Sequence, residues 1–223
     1  MAMKKNDLIP PAGQARILIV DDHPLVRAGF RALIGDEPDL AVCGEASGFT
    51  DAMRLAADQQ PDVVIVDLSL AEGSGLELVK HLHTRLPEVR LLVCSMHDES
   101  LFAERALKAG ARGYINKQEA TDHVVDAVHQ VLRGEIYLSD AMTQRVLQAE
   151  GGVQLGSVEA LTDRELEVFS LIGQGIGTSR IAEQLHLSVK TVESHREKIK
   201  KKLKLLSATE LSRYATQWSL ERN

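Results

Sequence analysis

Residues 16–22 read Arg-Ile-Leu-Ile-Val-Asp-Asp, a short apolar run that ends at two carboxylates. Two further stretches have the same form: Asp-Val-Val-Ile-Val leads to Asp67, and Arg-Leu-Leu-Val-Cys leads to Ser95. Shorter or weaker candidates lie at residues 113–115 and 40–43. Apolar runs of this length between turn residues are typical of strands that are buried on both faces.

The segments between these runs carry apolar residues at helical spacing, which predicts five helices. They are Leu25–Ile34, Thr50–Gln59, Gly75–Arg85, Ser100–Ala109 and Thr121–Leu132. Strands that alternate with helices indicate a parallel sheet covered on both faces. We therefore predict an α/β doubly wound, five-stranded parallel sheet, which binds ligands at the carboxyl ends of its strands.

The alternation of strands and helices then stops. A glycine-bearing stretch over residues 134–156 predicts a linker, in which Asp140–Gln148 has the pattern of a short helix. From Leu161 onward only helical periodicity remains. The sequence thus predicts an α/β domain over 15–133, the linker, and a small all-α domain over 157–223.

Charge is distributed unevenly between these parts. Residues 1–156 carry 15 Lys/Arg and 23 Asp/Glu, whereas residues 157–223 carry 11 and 9. Seven basic and two acidic residues lie between Ser188 and Lys204. The overall net charge of −6 argues weakly against nucleic-acid binding, but the asymmetry predicts that the two domains have different partners.

No apolar run approaches the ~18 residues that a membrane span requires. The polar first residues also lack the apolar core of a secretory signal. We therefore expect a cytoplasmic protein without a membrane partner.

Polar side chains follow four of the predicted strands. Asp21 and Asp22 follow the first, Asp67 follows the third in chain order, Ser95 the fourth, and Lys117 comes shortly after the fifth. Because the carboxyl ends of parallel strands meet at one edge of the sheet, these side chains are expected in one cleft. Strand ends also carry Asp and Ser simply as turn residues, but that explanation does not account for all five together.

Three carboxylates in a small space repel one another, and a divalent cation relieves the repulsion. Oxygen-rich sites of this kind suit Mg²⁺. A carboxylate held by the metal can attack phosphorus as a nucleophile and form an acyl phosphate. The metal and Lys117 would neutralise the charge that develops on the phosphoryl oxygens.

Residues 16–133 resemble the receiver domain of two-component response regulators over its full length, which implies a flavodoxin-like fold. The resemblance lies in Val20–Pro24, Asp67, Gly73–Leu76, Ser95, Gly110–Tyr114 and Lys117. One position departs from the family. Ala71 stands where the family often has proline, which changes the loop but removes no chemical group.

The resemblance implies that Asp67 is the phosphoacceptor and that Mg²⁺ is the cofactor. Asp22 would bind the metal directly, with Asp21 acting often through water and Asp67 as a further ligand. The backbone carbonyl of Ser69 would complete the protein ligands.

The resemblance also implies how phosphorylation is read out. Ser95 and Lys117 would hold the phosphoryl group, and Ser95 and Tyr114 would be the switch residues. The phosphoryl group would come from a sensor histidine kinase or a phosphotransfer protein. The phosphorylated chain is expected to form a homodimer, and the domain catalyses only its own phosphorylation and slow dephosphorylation.

The rear domain contains the pattern of a helix-turn-helix. Thr162 and Glu165 form a Thr-x-x-Glu capping box at the start of one helix. A second helix is predicted over Ser179–Leu185, and Ser188 is a plausible N-cap for a third that runs to about Leu203. Two helices joined by a tight turn match the helix-turn-helix plan.

The third helix of this domain has an apolar face and a polar face. The apolar face, predicted to pack inward, is formed by Val192, Ile199 and Leu203. The opposite face can enter a DNA major groove, where Lys binds guanine or phosphate and Glu accepts from cytosine. The alternative is a solvated charged helix in an ordinary bundle.

Residues 161–215 resemble the LuxR-type helix-turn-helix of the NarL/FixJ class of response regulators. The resemblance lies in Leu161-Thr162, Arg164-Glu165, Glu167-Val168, Gly175, Ile181-Ala182, Leu185, Leu187-Ser188, Thr191-Val192, His195, Ile199 and Lys202-Leu203. It implies that the helix after Ser188 recognises double-stranded DNA. The DNA-binding residues we predict are Thr178, Lys190, Thr191, Glu193, Ser194, Glu197, Lys198 and Lys201.

Two alternatives to a phosphorylation-controlled transcription regulator remain. A phosphatase that forms an aspartyl phosphate typically needs an acid-base carboxylate two residues after the nucleophile, and Ser69 occupies that position here. A phosphorylation-independent regulator usually lacks an acidic pocket residue or the lysine, and this chain has them all. The sequence does not specify the kinase, the operator, the direction of regulation, or whether the domains contact one another before phosphorylation.

Overall fold

The computed structural model describes residues 13–71, 73–97, 99–140, 142–143 and 158–220. The chain divides into two compact units, Met1–Leu147 and Gln148–Asn223. Within the described ranges, every helix is too short or too polar to cross a lipid bilayer.

The first unit contains a five-stranded, all-parallel sheet. Its strands are β1 Ala15–Val20, β2 Leu40–Ala46, β3 Val63–Val66, β4 Arg90–Ser95 and β5 Gly113–Asn116. They lie in the order β2-β1-β3-β4-β5, which confirms the predicted doubly wound, flavodoxin-like fold. The strands that follow β1 in the chain, β2 and β3, lie on opposite sides of it, so a cleft opens at the carboxyl ends of β1 and β3.

Five helices cover the two faces of this sheet. They are α1 Pro24–Gly35, α2 Phe49–Gln59, α3 Gly75–Arg85, α4 Glu99–Ala109 and α5 Ala120–Leu132. All five confirm predicted helices, and each helix end lies within one residue of its predicted position. The central strands are buried on both faces, and all four residues of β3 are at most 1% exposed, which explains their continuous apolar sequence.

Strand β2 is longer than the sequence predicts. Its pairing with β1 shifts register between Ile17 and Leu18, so Cys43 is passed over and Gly44 pairs next. The sequence pattern does not predict the last three residues of β2, because the acidic Glu45 interrupts the apolar run that is typical of a buried strand. In the fold Glu45 receives a hydrogen bond from Arg27 at 3.2 Å.

The start of the predicted linker lies along the free edge of β5. Tyr137 forms an isolated parallel bridge with Gly113. Its N–H donates to the carbonyl of Arg112, and its carbonyl accepts from the N–H of Tyr114, each at 2.9 Å. The short helix predicted over Asp140–Gln148 lies mostly outside the described residues.

The second unit is helical where it is described. A 3-10 turn at Val158–Ala160 precedes four helices, α6 Asp163–Gly173, α7 Thr178–Gln184, α8 Val189–Leu203 and α9 Ala208–Leu220. The predicted capping box is confirmed: Thr162 accepts from the N–H of Glu165, whose carboxylate accepts from the N–H of Thr162. Ser188 caps α8 as predicted, accepting from the N–H of Thr191 at 3.0 Å.

The core of this unit is formed by α6, α8 and α9 together with Ile181 and Ala182 of α7. The predicted inward face of α8 is confirmed, since Val192, Ile199 and Leu203 are all buried. The ring of Phe169 on α6 meets that of Trp218 on α9 edge to face, with centroids 5.2 Å apart. This packing leaves the opposite side of α8 exposed.

Candidate functional site

The acidic turn after β1 is fixed by its own hydrogen bonds. The carboxylate of Asp21, which is only 1% exposed, accepts from the N–H of His23 at 2.8 Å. Arg27, one helical turn into α1, donates to the carbonyl of Asp21 at 2.6 Å. These contacts hold the Asp21 carboxylate toward the sheet edge rather than toward solvent.

Lys117 joins the ends of β1 and β3. Its Nζ atom lies 2.7 Å from an oxygen of Asp67 and 2.7 Å from an oxygen of Asp21. Asp67 and Ser95 are themselves buried, at 2% and 0% exposed. The structure thus brings the predicted carboxylates and the ammonium together in one cleft, and Ser95 is buried at the end of the neighbouring strand β4.

Burial and charge act in opposite directions on the two central groups. Burial raises the pKa of Asp67, the nearby ammonium of Lys117 lowers it, and the net shift is upward. Burial alone would lower the pKa of Lys117, but the carboxylates of Asp67 and Asp21 outweigh it and raise the pKa. Lys117 therefore stays charged, and its single positive charge is shared by the carboxylates of Asp21 and Asp67.

The pocket fits a divalent cation. Asp21, Asp22, His23 and Asp67 each offer a ligand atom, and these atoms lie within 4.8 Å of one another. The Oδ1 atom of Asp67 is buried without a hydrogen-bond partner among the described residues. An oxygen-rich set with excess negative charge is the donor chemistry that Mg²⁺ prefers.

Gly75 has no room for a side chain, which accounts for the second glycine of the Gly-Ser-Gly motif after Asp67. A Cβ atom at this position would lie 2.1 Å from the backbone oxygen of Asp67. The N–H of Gly75 donates to the carbonyl of Leu68 at 3.1 Å. Only glycine lets α3 begin this close to the loop that carries Asp67.

Sequence reasoning missed His97, which contacts three of the predicted site residues. Its ring Nε2 lies 3.0 Å from the hydroxyl of Ser69, and its N–H donates to the Oγ of Ser95 at 3.2 Å. The hydroxyl of Tyr114 donates to its carbonyl at 2.7 Å. Its ring also stacks on Phe102, at a centroid distance of 4.6 Å. The one signal available was its position two residues after Ser95.

His23 was also missed, although it directly follows the two acidic residues. Its Nδ1 atom lies 2.6 Å from Asp22 and 3.3 Å from Asp21.

The predicted switch residue Tyr114 is buried at 1% exposed, and its hydroxyl donates a hydrogen bond to the loop between β4 and α4. The roles of Tyr114 as a switch and of the Ser69 carbonyl as a metal ligand stay predictions. Ala71, which stands where the family often has proline, is exposed in a bend.

The second candidate site is the exposed face of α8. Six of the predicted DNA-binding residues are exposed there: Lys190, Glu193, Ser194, Glu197, Lys198 and Lys201. Glu197 pairs with Lys200 at 2.8 Å and Glu193 lies 3.9 Å from Arg196, both on the same helix. Thr191 is half-buried, and its side chain lies 2.7 Å from that of Ser188 in the cap. Thr178 is half-buried as the first residue of α7.

A buried ion pair positions the turn before α8, and sequence reasoning did not identify it. Arg164 on α6 donates both to the carboxylate of Glu167 and to the carbonyl of Leu185, at the end of α7. The side chain of Glu167 is 0% exposed. This contact ties the start of the helix-turn-helix turn to α6.

Two family descriptions match the chain. "Response regulator receiver domain" matches residues 17–129, and "Bacterial regulatory proteins, luxR family" matches residues 159–215. The chain is a response regulator of the LuxR family. The matches confirm both resemblances and assign receiver function to the first unit and DNA-binding transcription regulation to the second.

Curated relatives of this response regulator match it over nearly their whole length. It is 36% identical over 213 residues to the oxygen regulatory protein NreC of Staphylococcus carnosus, covering 92% of this chain and 98% of that protein. It is 35% identical over 206 residues to the nitrate/nitrite response regulator protein NarL of Escherichia coli, covering 91% and 95%.

Solved structures show the same architecture. A LuxR-family response regulator from Aurantimonas sp. is 38% identical, with a TM-score of 0.57 over 60% of this chain and 96% of that one. RcsB from Salmonella enterica serovar Typhimurium, bound to a promoter in the presence of phosphomimetic BeF3−, is 25% identical. Its TM-score is 0.63 over 92% of this chain and 99% of that chain.

Proposed function

We propose that this response regulator is phosphorylated on Asp67 in a reaction that requires Mg²⁺, and that phosphorylation promotes dimerisation and operator binding. The phosphoryl donor is a sensor histidine kinase or a phosphotransfer protein. The observation that carries the proposal is the Lys117 contact with two buried carboxylates, at 2.7 Å each. It supports a fixed positive charge beside Asp67, where it can neutralise charge on a phosphoryl oxygen.

The residues of the pocket divide the chemistry between them. Asp67 attacks phosphorus, and the bond to the donor nitrogen or oxygen breaks as the new oxygen–phosphorus bond forms. Asp21, Asp22, Asp67 and the Ser69 carbonyl would hold Mg²⁺, which supplies positive charge to the phosphoryl oxygens. Lys117 contributes the fixed positive charge of the protein.

Ser95 is suited to report the phosphorylated state. Its Oγ accepts from the N–H of His97, so its own hydroxyl proton is available to a phosphoryl oxygen. A phosphoryl group adds charge and strong acceptor oxygens at Asp67. A shift of Ser95 would therefore pull on the loop that carries His97 and leads into α4.

The output of this change is DNA binding by α8. Its exposed lysines, Lys190, Lys198 and Lys201, supply charge for phosphates. Glu193 and Glu197 lie on the same exposed face, where they can accept hydrogen bonds from cytosine amino groups. A two-fold dimer would place two such helices on two-fold related half-sites. The promoter-bound RcsB structure with BeF3− supports DNA binding by similarity.

Intact mass after treatment with acetyl phosphate tests the first step. We expect the mass of one phosphoryl group to be added with Mg²⁺ and not with a chelator, and Asp67→Asn to remain unlabelled. Asp58→Asn is the matched control, because it makes the same change on the exposed face of α2. Equal labelling of Asp67→Asn would contradict the assignment.

Operator titration with sedimentation tests the second step. Phosphorylation is expected to tighten binding by about 5- to 150-fold, the usual range of coupling free energies, and to shift the sedimenting species to a dimer. Asp67→Asn and Ser95→Ala should not respond. Identical affinity and oligomeric state with and without phosphodonor would favour a phosphorylation-independent regulator.

A further inference from the structure

The recognition helix α8 exposes a large apolar side chain at its first turn. Val189 is 49% exposed, and it is one of six large apolar side chains that are exposed among the described residues. The others are Leu25, Met96, Ile136, Leu206 and Leu220, all outside α8. A half-exposed valine contributes little to the core, so its position does not follow from packing.

The polar side chains beside Val189 are already engaged. Ser188 accepts from the N–H of Thr191 at 3.0 Å, and the two hydroxyl oxygens lie 2.7 Å apart. These hydroxyls complete the N-cap of α8. Val189, unlike these two hydroxyls, remains available for contact with another molecule.

Val189 shares the exposed face with Glu193. At 100° per residue the two side chains lie about 40° apart on the helix and one turn from each other, whereas Val192 points into the core. The exposed edge of the first turn thus presents an apolar group followed by a hydrogen-bond acceptor. A phosphate would gain nothing from either side chain, so this edge suits base edges rather than the DNA backbone.

We infer that Val189 is a specificity-determining residue that contacts the C5-methyl group of a thymine in each half-site. The inference rests on the proposed function, in which α8 enters the major groove. Residues near the N-terminus of a recognition helix contact base edges, and thymine alone among the four bases presents a methyl group there. An apolar side chain against a polar base edge would instead leave donors or acceptors unpaired.

The test removes the methyl group without changing any hydrogen bond. A preferred operator is first selected in vitro, and each thymine is then replaced by deoxyuridine, one symmetry-related pair at a time. Binding of the full-length chain is measured at fixed salt. At one position per half-site we expect deoxyuridine to weaken binding about fourfold per methyl group, the value of one buried methyl.

Variants assign that effect to Val189. Val189→Ala should bind thymine and deoxyuridine operators equally at that position, whereas Val189→Ile should retain the preference. Leu206→Ala is the matched control, because it shortens an exposed apolar side chain of the same unit outside α8. It should discriminate as the natural chain does.

The outcomes separate this inference from the proposed function. If the natural chain binds its operator but shows no thymine preference anywhere, or if Val189→Ala keeps that preference, the inference is wrong and DNA recognition by α8 stands. If the chain selects no DNA at all, the proposed function fails and the inference fails with it.

Discussion

The carboxylate of Glu99, at the first residue of α4, accepts two hydrogen bonds from Ser139. One comes from the Ser139 N–H at 2.9 Å, and the other from its hydroxyl. The same hydroxyl oxygen accepts from the N–H of Met142 at 3.2 Å. The segment that leaves the receiver is thereby fastened to the N-terminus of α4, close to the loop that holds Ser95 and His97.

Removing this contact should loosen the segment. Ser139→Ala deletes both hydrogen bonds of the hydroxyl, the charge-assisted one to Glu99 and the one from the N–H of Met142. We expect amide exchange over residues 136–140 to accelerate roughly tenfold, equivalent to about 1.4 kcal/mol. Hydrogen–deuterium exchange by mass spectrometry measures it. Glu104→Gln, which changes an exposed acid on the same helix, should leave exchange in this segment unaltered. Unchanged exchange in Ser139→Ala would show that the bridge of Tyr137 with Gly113 is sufficient.

Magnesium should stabilise the receiver through its three carboxylates. At Mg²⁺ ten times above its dissociation constant, we expect about 1.4 kcal/mol of added stability, measured as a higher unfolding temperature by calorimetry. Asp22→Asn should reduce the effect, since it removes one ligand and one charge. Asp58→Asn, which changes an exposed acid of α2, should preserve it. An equal response of both variants would place the ion elsewhere.

Two adjacent lysines of α8 should have different roles, one in the stability of the second unit and the other in DNA binding. Lys202 lies 2.6 Å from the nearly buried carboxylate of Glu165, whereas Lys201 is exposed. Lys202→Met should cost about 1–2 kcal/mol of stability, less than a fully buried pair because the lysine is partly solvated. Lys201→Met should lower DNA affinity with little change in stability. Trp218, the sole tryptophan, reports unfolding of this unit in urea.

The same ion pair predicts a pH dependence. Burial alone would raise the pKa of Glu165, but hydrogen bonds from Lys202 and Thr162 outweigh it and lower the pKa. The stabilisation is therefore present above the unfolded-state pKa of about 4.3 and is lost as the pH falls through the lower folded value. In Glu165→Gln, the free energy of unfolding measured by Trp218 fluorescence in urea should fall less steeply as the pH is lowered through this acidic range. If the slope of unfolding free energy against pH is the same in Glu165→Gln, other carboxylates cause the acid unfolding.

His195 should affect stability at milder pH. Burial, with the nearby cations Lys198 and Arg164, lowers the pKa of this imidazole. Between the folded pKa and the unfolded value of about 6.5 the unfolded chain binds the extra proton, so stability falls as the pH drops through this range. His195→Gln should remove that part of the dependence of the Trp218 transition. His123→Gln, exposed on the other unit, is the control and should leave it intact.

The local sequence by itself determined where the strands and helices of the first unit lie and which polar residues follow its strands. Continuous apolar runs predicted four of the five strands closely, and helical periodicity placed each receiver helix to within one residue. Because parallel strands share one edge, the residues after them, among them Asp21, Asp67 and Lys117, were predicted to meet. Strand β2 was extended beyond its prediction because Glu45 finds arginine partners that no local pattern reveals.

Only the tertiary structure decided which distant groups contact one another. His97 contacts Ser69, Ser139 donates to Glu99, and Arg164 donates to the carbonyl of Leu185 at the end of α7. Periodicity records which face of an element is buried, since that is a property of neighbouring residues. The partner of a polar side chain depends instead on how separate elements pack, which one element's pattern does not encode.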